Sequence, residues 1–549
     1  MADHFIFIFY IYLFILSTIG YGFIFSKFIN KELFQLNIGY QGIIGFFFLS
    51  LISMLTSYFV SHNFIFNSIV HLIGLSFFLY IFFQFKDKEN FKFLFLISIA
   101  LLIGAYVFKN HDDFSYYHFP YISILTEYSH PIGLGQLNNG FRNPSSIFFI
   151  SSMFYLPKID IYLFHITPAF FLGFANLILF QNIFNKNTFK ENKFINFLSL
   201  ICFIFINIFF YRLAEHGTDR SGQILIIICI ILLLFICNNF SKNQNQNIIK
   251  FVCITLCLLI SLKPFYLIYI PLVLIFFLYR HTRKIFLELF FSKTFFYCLA
   301  LVFFATFYTF INSSCIVFPA TFTCFENLSW SLSKDHIESV RIWYELWAKG
   351  GANPLFVVDN RIAYISKLNW LSNWIDIYFF NKVLDYILGL LLLFIIFFSV
   401  FYSKKIKKNK LNIRYLVIYY FLLICLIEWF MYHPSLRYGG YHLFALLLFI
   451  PLCTFLALFD LEYKIFFKKA SFLILITIIV FLTRNVNRLN KEYKNYNYNP
   501  FIETKYKFIG GDKNFYFRYN SKIEKNKINY ITINILGKNI LNTTIKNRN

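Results

Sequence analysis

The chain has 549 residues, of which 58% are hydrophobic and only 14% charged, against about 25% charged in soluble domains. That composition excludes a soluble globular protein and marks an integral membrane protein. The formal charge of +24 comes with no basic stripe on a soluble fold, so it excludes nucleic acid as a partner and fits basic loops facing anionic lipid.

Apolar runs fall at about 5–25, 41–60, 63–85, 91–108, 160–182, 194–211, 222–240, 250–262, 264–279, 295–312, 382–402, 413–432, 441–459 and 470–484. At about 20 residues per crossing they predict an all-α polytopic protein of about 14 transmembrane helices. The runs 250–262 and 264–279, separated by Lys263-Pro264, are short and read as broken or tilted spans. Ser145 to Leu156 is shorter still and is expected to dip in and return, or to lie in the interface. The first run has no small-residue cleavage site and reads as an anchor.

Lysine and arginine collect in alternate loops: Lys27/Lys31, Lys86/Lys88/Lys92, Lys186/Lys190/Lys193, Lys242/Lys250, Arg280/Arg283/Lys284, Lys404 to Lys410 and Lys464/Lys468/Lys469. The positive-inside pattern makes these loops cytoplasmic. The expected organisation is N-terminal transmembrane helices over 1–90, then a transmembrane core over 91–485. The core's external loops are 109–159, 212–221, 313–380 and 432–441, and a small extracytoplasmic α/β or β module follows over 486–549. In the long loop, HIESVRIWYELWA (336–348) and RIAYISKLNWLSNWIDIYFF (361–380) read either as amphipathic helices at headgroup depth or as helices of an extracytoplasmic cap. In the tail, INYITINIL (528–536) alternates like a weak strand. Eight cysteines sit in spans as apolar fillers, and Cys315 and Cys324 share the external loop, where a disulfide can form.

The external loops carry most of the unusual chemistry. After the fourth run come Asp112, Asp113, Tyr117, His118, Glu127, His130 and Arg142. Arg212, Glu215, His216, Asp219 and Arg220 follow in the second loop, then Lys263, and last His433, Arg437, Tyr438 and His442. Ionisable groups where a span leaves hydrocarbon tend to mark a reaction or transport site. A carboxylate can take an acceptor hydroxyl's proton while Arg or Lys neutralises a departing phosphate. Each residue also has a plainer reading: Asp112/Asp113 and Asp219 as helix caps, Arg437 snorkelling to headgroups, and most histidines as packing groups.

The order of Asp112/Asp113, Tyr116-Tyr117-His118, Gly133-Leu134-Gly135-Gln136-Leu137, Phe141-Arg142-Asn143 and Ser145-Ser146 resembles the first external loop of bacterial envelope proteins of the GT-C superfamily. Val317-Phe318-Pro319, Leu328-Ser329-Trp330 and His433-Pro434-Ser435-Leu436-Arg437-Tyr438 extend the resemblance over roughly 90–460. These are glycosyltransferases that use polyprenyl-phosphate-linked sugars. The resemblance implies a GT-C-like fold in the bacterial inner membrane with its active face extracytoplasmic. The implied reaction is inverting transfer of a sugar from the lipid phosphate to an envelope glycan or lipid acceptor. Asp113 would be the general base or a metal-associated acid, with Asp112 and Asp219 beside it. Arg437, Lys263 or Arg220 would hold the phosphate, with Tyr117, His118, Arg142 and Tyr438 lining the substrate. Mg²⁺ or Mn²⁺ suits Asp112, Asp113 and Asp219 as hard oxygen ligands. A lipid-linked oligosaccharide polymerase or ligase, and a transporter of envelope precursors, remain alternatives.

Overall fold

The computed structural model describes residues 2–84, 91, 93–95, 98, 101–102, 106, 113–191, 193–238, 242–278, 280–406, 415–502, 533–535 and 538–540. Nine helices among them are long and apolar enough to cross a membrane. They are α1 (Ala2–Phe28), α2 (Ile38–Ser57), α3 (Phe64–Gln84), α6 (Thr167–Phe184), α8 (Leu213–Asn238), α10 (Lys293–Ser313), a helix over Leu371–Phe401 whose regular part is α12 (Leu384–Phe401), α13 (Tyr415–Tyr432) and α15 (Tyr463–Tyr496). Helices suit this setting because each satisfies its own backbone hydrogen bonds away from water. Between them lie α4 (Phe119–Glu127), α5 (Ser146–Ser152), α7 (Lys193–Phe209), α9 (Lys242–Leu262), α11 (Lys334–Lys349) and α14 (Gly440–Leu456). The protein is a polytopic, all-α membrane protein.

The shorter apolar helices Lys193–Phe209, Gln246–Leu262, Pro264–Leu278 and Gly440–Leu456 account for the remaining expected runs except 91–108, most of which is outside the described residues. Pro264–Leu278 is a 3₁₀ helix of 15 residues with Pro271 inside it. At about 2.0 Å rise per residue such a helix extends roughly 30 Å, the thickness of the hydrocarbon layer, where an α-helix of that length falls short.

Helix α1 packs on both α2 and α3, and α2 also packs on α6, α9 and α10. A Cβ added at Gly20 would stand 1.9 Å from the Gly74 carbonyl oxygen, so the α1–α3 crossing exists only because both positions are glycine, the small-residue contact typical of membrane helices. Buried polar groups pair across helices. Asn176 and Asn207 exchange amide hydrogen bonds of 2.9 and 2.8 Å between α6 and α7. His71, in the middle of α3, lies 3.0 Å from the Met153 carbonyl and 3.2 Å from Ser17, which makes it a satisfied packing group.

The structure gives detail to three of the expected segments. The short run after Ser145 forms α5, which is wholly buried, with Ser261 donating to Ser146 Oγ at 2.9 Å. The segment 361–380 is no separate interfacial helix: Leu371 begins a helix that continues through Phe401. Trp370 and Trp374 are 0% and 3% exposed, because the helix packs them inward against Phe430. Helix α15 runs on to Tyr496, past the expected start of the tail module at 486. In the tail, β1 (Ile533–Ile535) pairs antiparallel with β2 (Lys538–Ile540); the rest of 503–549 lies outside the described residues.

Candidate functional site

Four side chains from four separate segments meet at one end of the bundle. Asp113 precedes a π-turn over Phe114–His118 that leads into α4. Asp219 stands early in α8, just after Gly217, whose φ of 39° breaks the helix. Any other residue at 217 would be strained, and its Cβ would meet His118 Cε1 at 3.2 Å. Lys263 lies between α9 and the 3₁₀ helix, and Arg437 lies in a short turn over Leu436–Tyr438.

Arg437 is the bridge. Its Nε donates to Asp219 Oδ2 and its Nη2 to Asp113 Oδ2. Lys263 Nζ closes the other side of Asp219, 2.5 Å from Oδ1. The Tyr266 hydroxyl donates to the Asp219 carbonyl at 3.0 Å, and Lys263 Nζ lies 4.6 Å from the centre of the Tyr438 ring. Asp219 is 2% exposed, whereas Arg437, Asp113 and Lys263 are 25%, 26% and 29% exposed. The chain of charges therefore has a buried root and an accessible rim.

The turn bearing Arg437 is pinned from several sides. Trp374 Nε1 donates to the Pro434 carbonyl and Trp429 Nε1 to that of Ser435, both at 2.8 Å. The Leu436 amide donates to the Tyr378 hydroxyl at 2.9 Å, and Gln223, one turn after Asp219 on α8, donates to the Arg437 carbonyl at 2.9 Å. The positioning roles of Gln223, Tyr266, Trp374, Tyr378 and Gly217 were missed from the sequence. For Gln223 a signal existed, since a polar residue four after Asp219 inside an apolar span shares its helix face.

Electrostatics fix the charge states at the rim. Burial pushes the Arg437 pKa down, but Asp219 and then Asp113 reverse this and leave it well above its ordinary value. Burial, then Asp113, raises Tyr117 well above its usual range, so that hydroxyl stays neutral. Burial, assisted by Lys263 and Lys349, lowers His433 to about 4; its Nε2 lies 3.5 Å from Glu428, and the imidazole is neutral at ordinary pH.

The remaining expected residues divide. Tyr438 packs in the site, between Lys263 and the Trp347 ring, whose centre is 5.3 Å away. Tyr117 lies against His118, ring centres 4.3 Å apart. Arg142 is outside the charge chain. Its Nε donates to the Gly135 carbonyl at 3.1 Å, its guanidinium stands 5.4 Å from the Phe318 ring, and burial lowers its pKa to about 10. Arg220 packs between Phe210 and Tyr441, 4.5 and 3.8 Å from their ring centres, and pairs with no carboxylate among the described residues. Asp112 lies outside the described residues, and of Glu215 and His216 only the helical backbone is described. Cys315 and Cys324 are disulfide-bonded, and Phe318, Ile337 and Val340 pack beside Cys315 in a small core beneath α11.

Among the described residues no three His, Cys, Asp or Glu side chains gather as metal ligands. Asp113 and Asp219 face Arg437 and Lys263, and Asp112, the other expected oxygen ligand, lies outside the described residues.

Fold and site together define a multi-pass α-helical membrane protein with a carboxylate–guanidinium–carboxylate–ammonium chain where its helices end. The chain belongs to the family described as Domain of unknown function (DUF8201), which matches residues 4–444. That stretch contains all four members of the charge chain and the three N-terminal helices. No curated protein and no solved structure matches the chain.

Proposed function

We propose that the protein is an inverting glycosyltransferase that moves a sugar from a polyprenyl-phosphate donor to an envelope glycan or lipid acceptor at the extracytoplasmic face of the bacterial inner membrane. The observation that carries the reading is the bridge Asp113–Arg437–Asp219–Lys263. Two cations are held by a buried acid, and the second acid, Asp113, sits at the accessible rim. At rest Arg437 latches Asp113. A donor phosphate has the same claim on the guanidinium, since arginine binds carboxylate and phosphate through the same donors. When the phosphate takes Arg437 Nη2, Asp113 is released to act as a base.

The acceptor hydroxyl then gives its proton to Asp113 while its oxygen bonds to the anomeric carbon from the face opposite the leaving group. The bond from that carbon to the phosphate oxygen breaks, and the electron pair leaves on the polyprenyl phosphate. Arg437 and Lys263 neutralise the charge that develops there, which is the preorganised stabilisation that lowers such barriers most. Asp219 touches neither substrate; it keeps both cations aimed. Tyr438, Trp347 and Tyr117 supply aromatic faces beside the reacting groups, and Arg142 stands in the wall.

The test is incubation of purified protein with radiolabelled polyprenyl-phosphate sugars and a set of envelope acceptors. Single-sugar transfer with inverted configuration is expected. Movement of a whole oligosaccharide in one step would assign a ligase or polymerase instead, and no transfer across a broad panel by folded protein would overturn the reading.

A further inference from the structure

The far end of the bundle holds a cavity of about 400 Å³, within the usual size of ligand sites. It lies between the start of α2, the end of α6 and the first turns of α15. Alternation along the chain puts it away from Asp219: α7 starts beside the end of α6, where Asn196 donates to the Asn182 and Ile183 carbonyls at 2.8 and 3.0 Å, and ends next to Phe210, on which Arg220 stacks. The Tyr463 hydroxyl donates to the Phe184 carbonyl at 2.7 Å and ties α15 to the same end.

The walls have two characters. Phe180, Phe184 and Phe467 make an apolar slot, while Gln181, Asn185 and Ser471 place amide and hydroxyl groups at it. Phe467, Gln181 and Asn185 are exposed, so the mouth opens on the surface of the bundle. On α15, Lys464, Phe467, Lys468 and Ser471 are spaced i, i+3, i+4 and i+7, one face of a helix. Because Phe467 and Ser471 line the cavity, both lysines flank its mouth. Lys186 follows Asn185 on the opposite side. All three lysines are exposed, and none is ion-paired among the described residues, including with the nearby Glu191 and Glu462.

We propose that this cavity is a binding site for an anionic phospholipid, with an acyl chain in the phenylalanine slot, the phosphate among Lys186, Lys464 and Lys468, and the glycerol region against Gln181, Asn185 and Ser471. A slot that is apolar inside and cationic at the rim matches an amphiphile of that polarity, and basic pockets between helices are where anionic lipids seat. A zwitterionic lipid would bring its own cation against the three lysines and bind less well. The site is independent of the transfer reaction proposed above, so either can fail without the other.

The test uses the full chain in detergent with added phosphatidylglycerol, phosphatidylcholine or inorganic phosphate, followed by native mass spectrometry for retained lipid and by the unfolding midpoint. Phosphatidylglycerol should be retained and should raise the midpoint more than phosphatidylcholine does. Each of Lys186→Ala, Lys464→Ala and Lys468→Ala should weaken phosphatidylglycerol about fivefold, the fold-change of one lysine's attraction to an anionic surface. Ser471→Phe, which fills the slot, should abolish retention. Arg280→Ala with Arg283→Ala, on the helix Arg280–Leu289, should change nothing. Equal retention of the two lipids, a triple lysine variant with unchanged preference, or an equal midpoint shift from inorganic phosphate alone would each overturn the proposal.

Discussion

At one end of the bundle Arg437 and Lys263 are locked to carboxylates around a buried Asp219, whereas at the other Lys186, Lys464 and Lys468 stand exposed without an acidic partner among the described residues. The same kinds of cation thus do opposite things. Burial decides which: a charge removed from water must be paired within the protein, while an exposed one is solvated and left available to lipid. The paired end is rigid and specific, as the Trp374, Trp429, Tyr378 and Gln223 hydrogen bonds to the 434–437 turn show.

The sharpest break would come from finding both ends on the wrong sides of the membrane. Val357→Cys, in the loop that follows α11 and 78% exposed, should react completely with a membrane-impermeant maleimide on intact cells. Asn187→Cys at the lysine end should react only after permeabilisation. The native free cysteines are buried or half-buried and should contribute little background. Reversed labelling would put the charge chain in the cytoplasm and end the lipid-phosphate reading.

Next in size is Asp113→Asn. Sugar transfer should fall by about 10²- to 10⁴-fold, the span of general-base contributions, with the unfolding midpoint close to wild type because Asp113 is partly exposed. Retained turnover would remove Asp113 from the chemistry.

Asp219→Asn probes the buried root. It leaves Arg437 and Lys263 without their shared counter-charge, and breaking a buried pair in this way costs about 3–5 kcal/mol. The comparison variant Lys468→Ala should stay within about 0.5 kcal/mol, as for most surface changes. Denaturant titration in detergent reads both, and similar values would erase the distinction between the two ends.

The smallest effect belongs to His433. Its folded pKa of about 4 lies below its unfolded value near 6.5, so the unfolded chain binds the extra proton in between. Its contribution to stability is complete above about pH 6.5 and is lost as pH falls towards 4. Unfolding midpoints of wild type should therefore drop faster over that window than those of His433→Gln. Parallel profiles would mean that His433 ionises freely, without Lys263 and Lys349 bearing on it.

The helical, membrane-spanning character and the approximate bounds of most helices were legible in the sequence, because unbroken apolar runs such as 222–240 have few other stable forms in lipid. Asp113, Asp219, Lys263 and Arg437 could also be picked out one by one, since ionisable groups at span ends are rare and costly. Hydropathy could not show that Pro264–Leu278 winds as a 3₁₀ helix, that Trp370 and Trp374 turn inward, or that Arg220 faces Tyr441 while its neighbour Asp219 meets Arg437. Those outcomes depend on which helix faces meet, and residues adjacent in sequence point about 100° apart on a helix. Asp113 and Arg437 are 324 positions apart, and only the packing of the spans between them brought one guanidinium within reach of both acids.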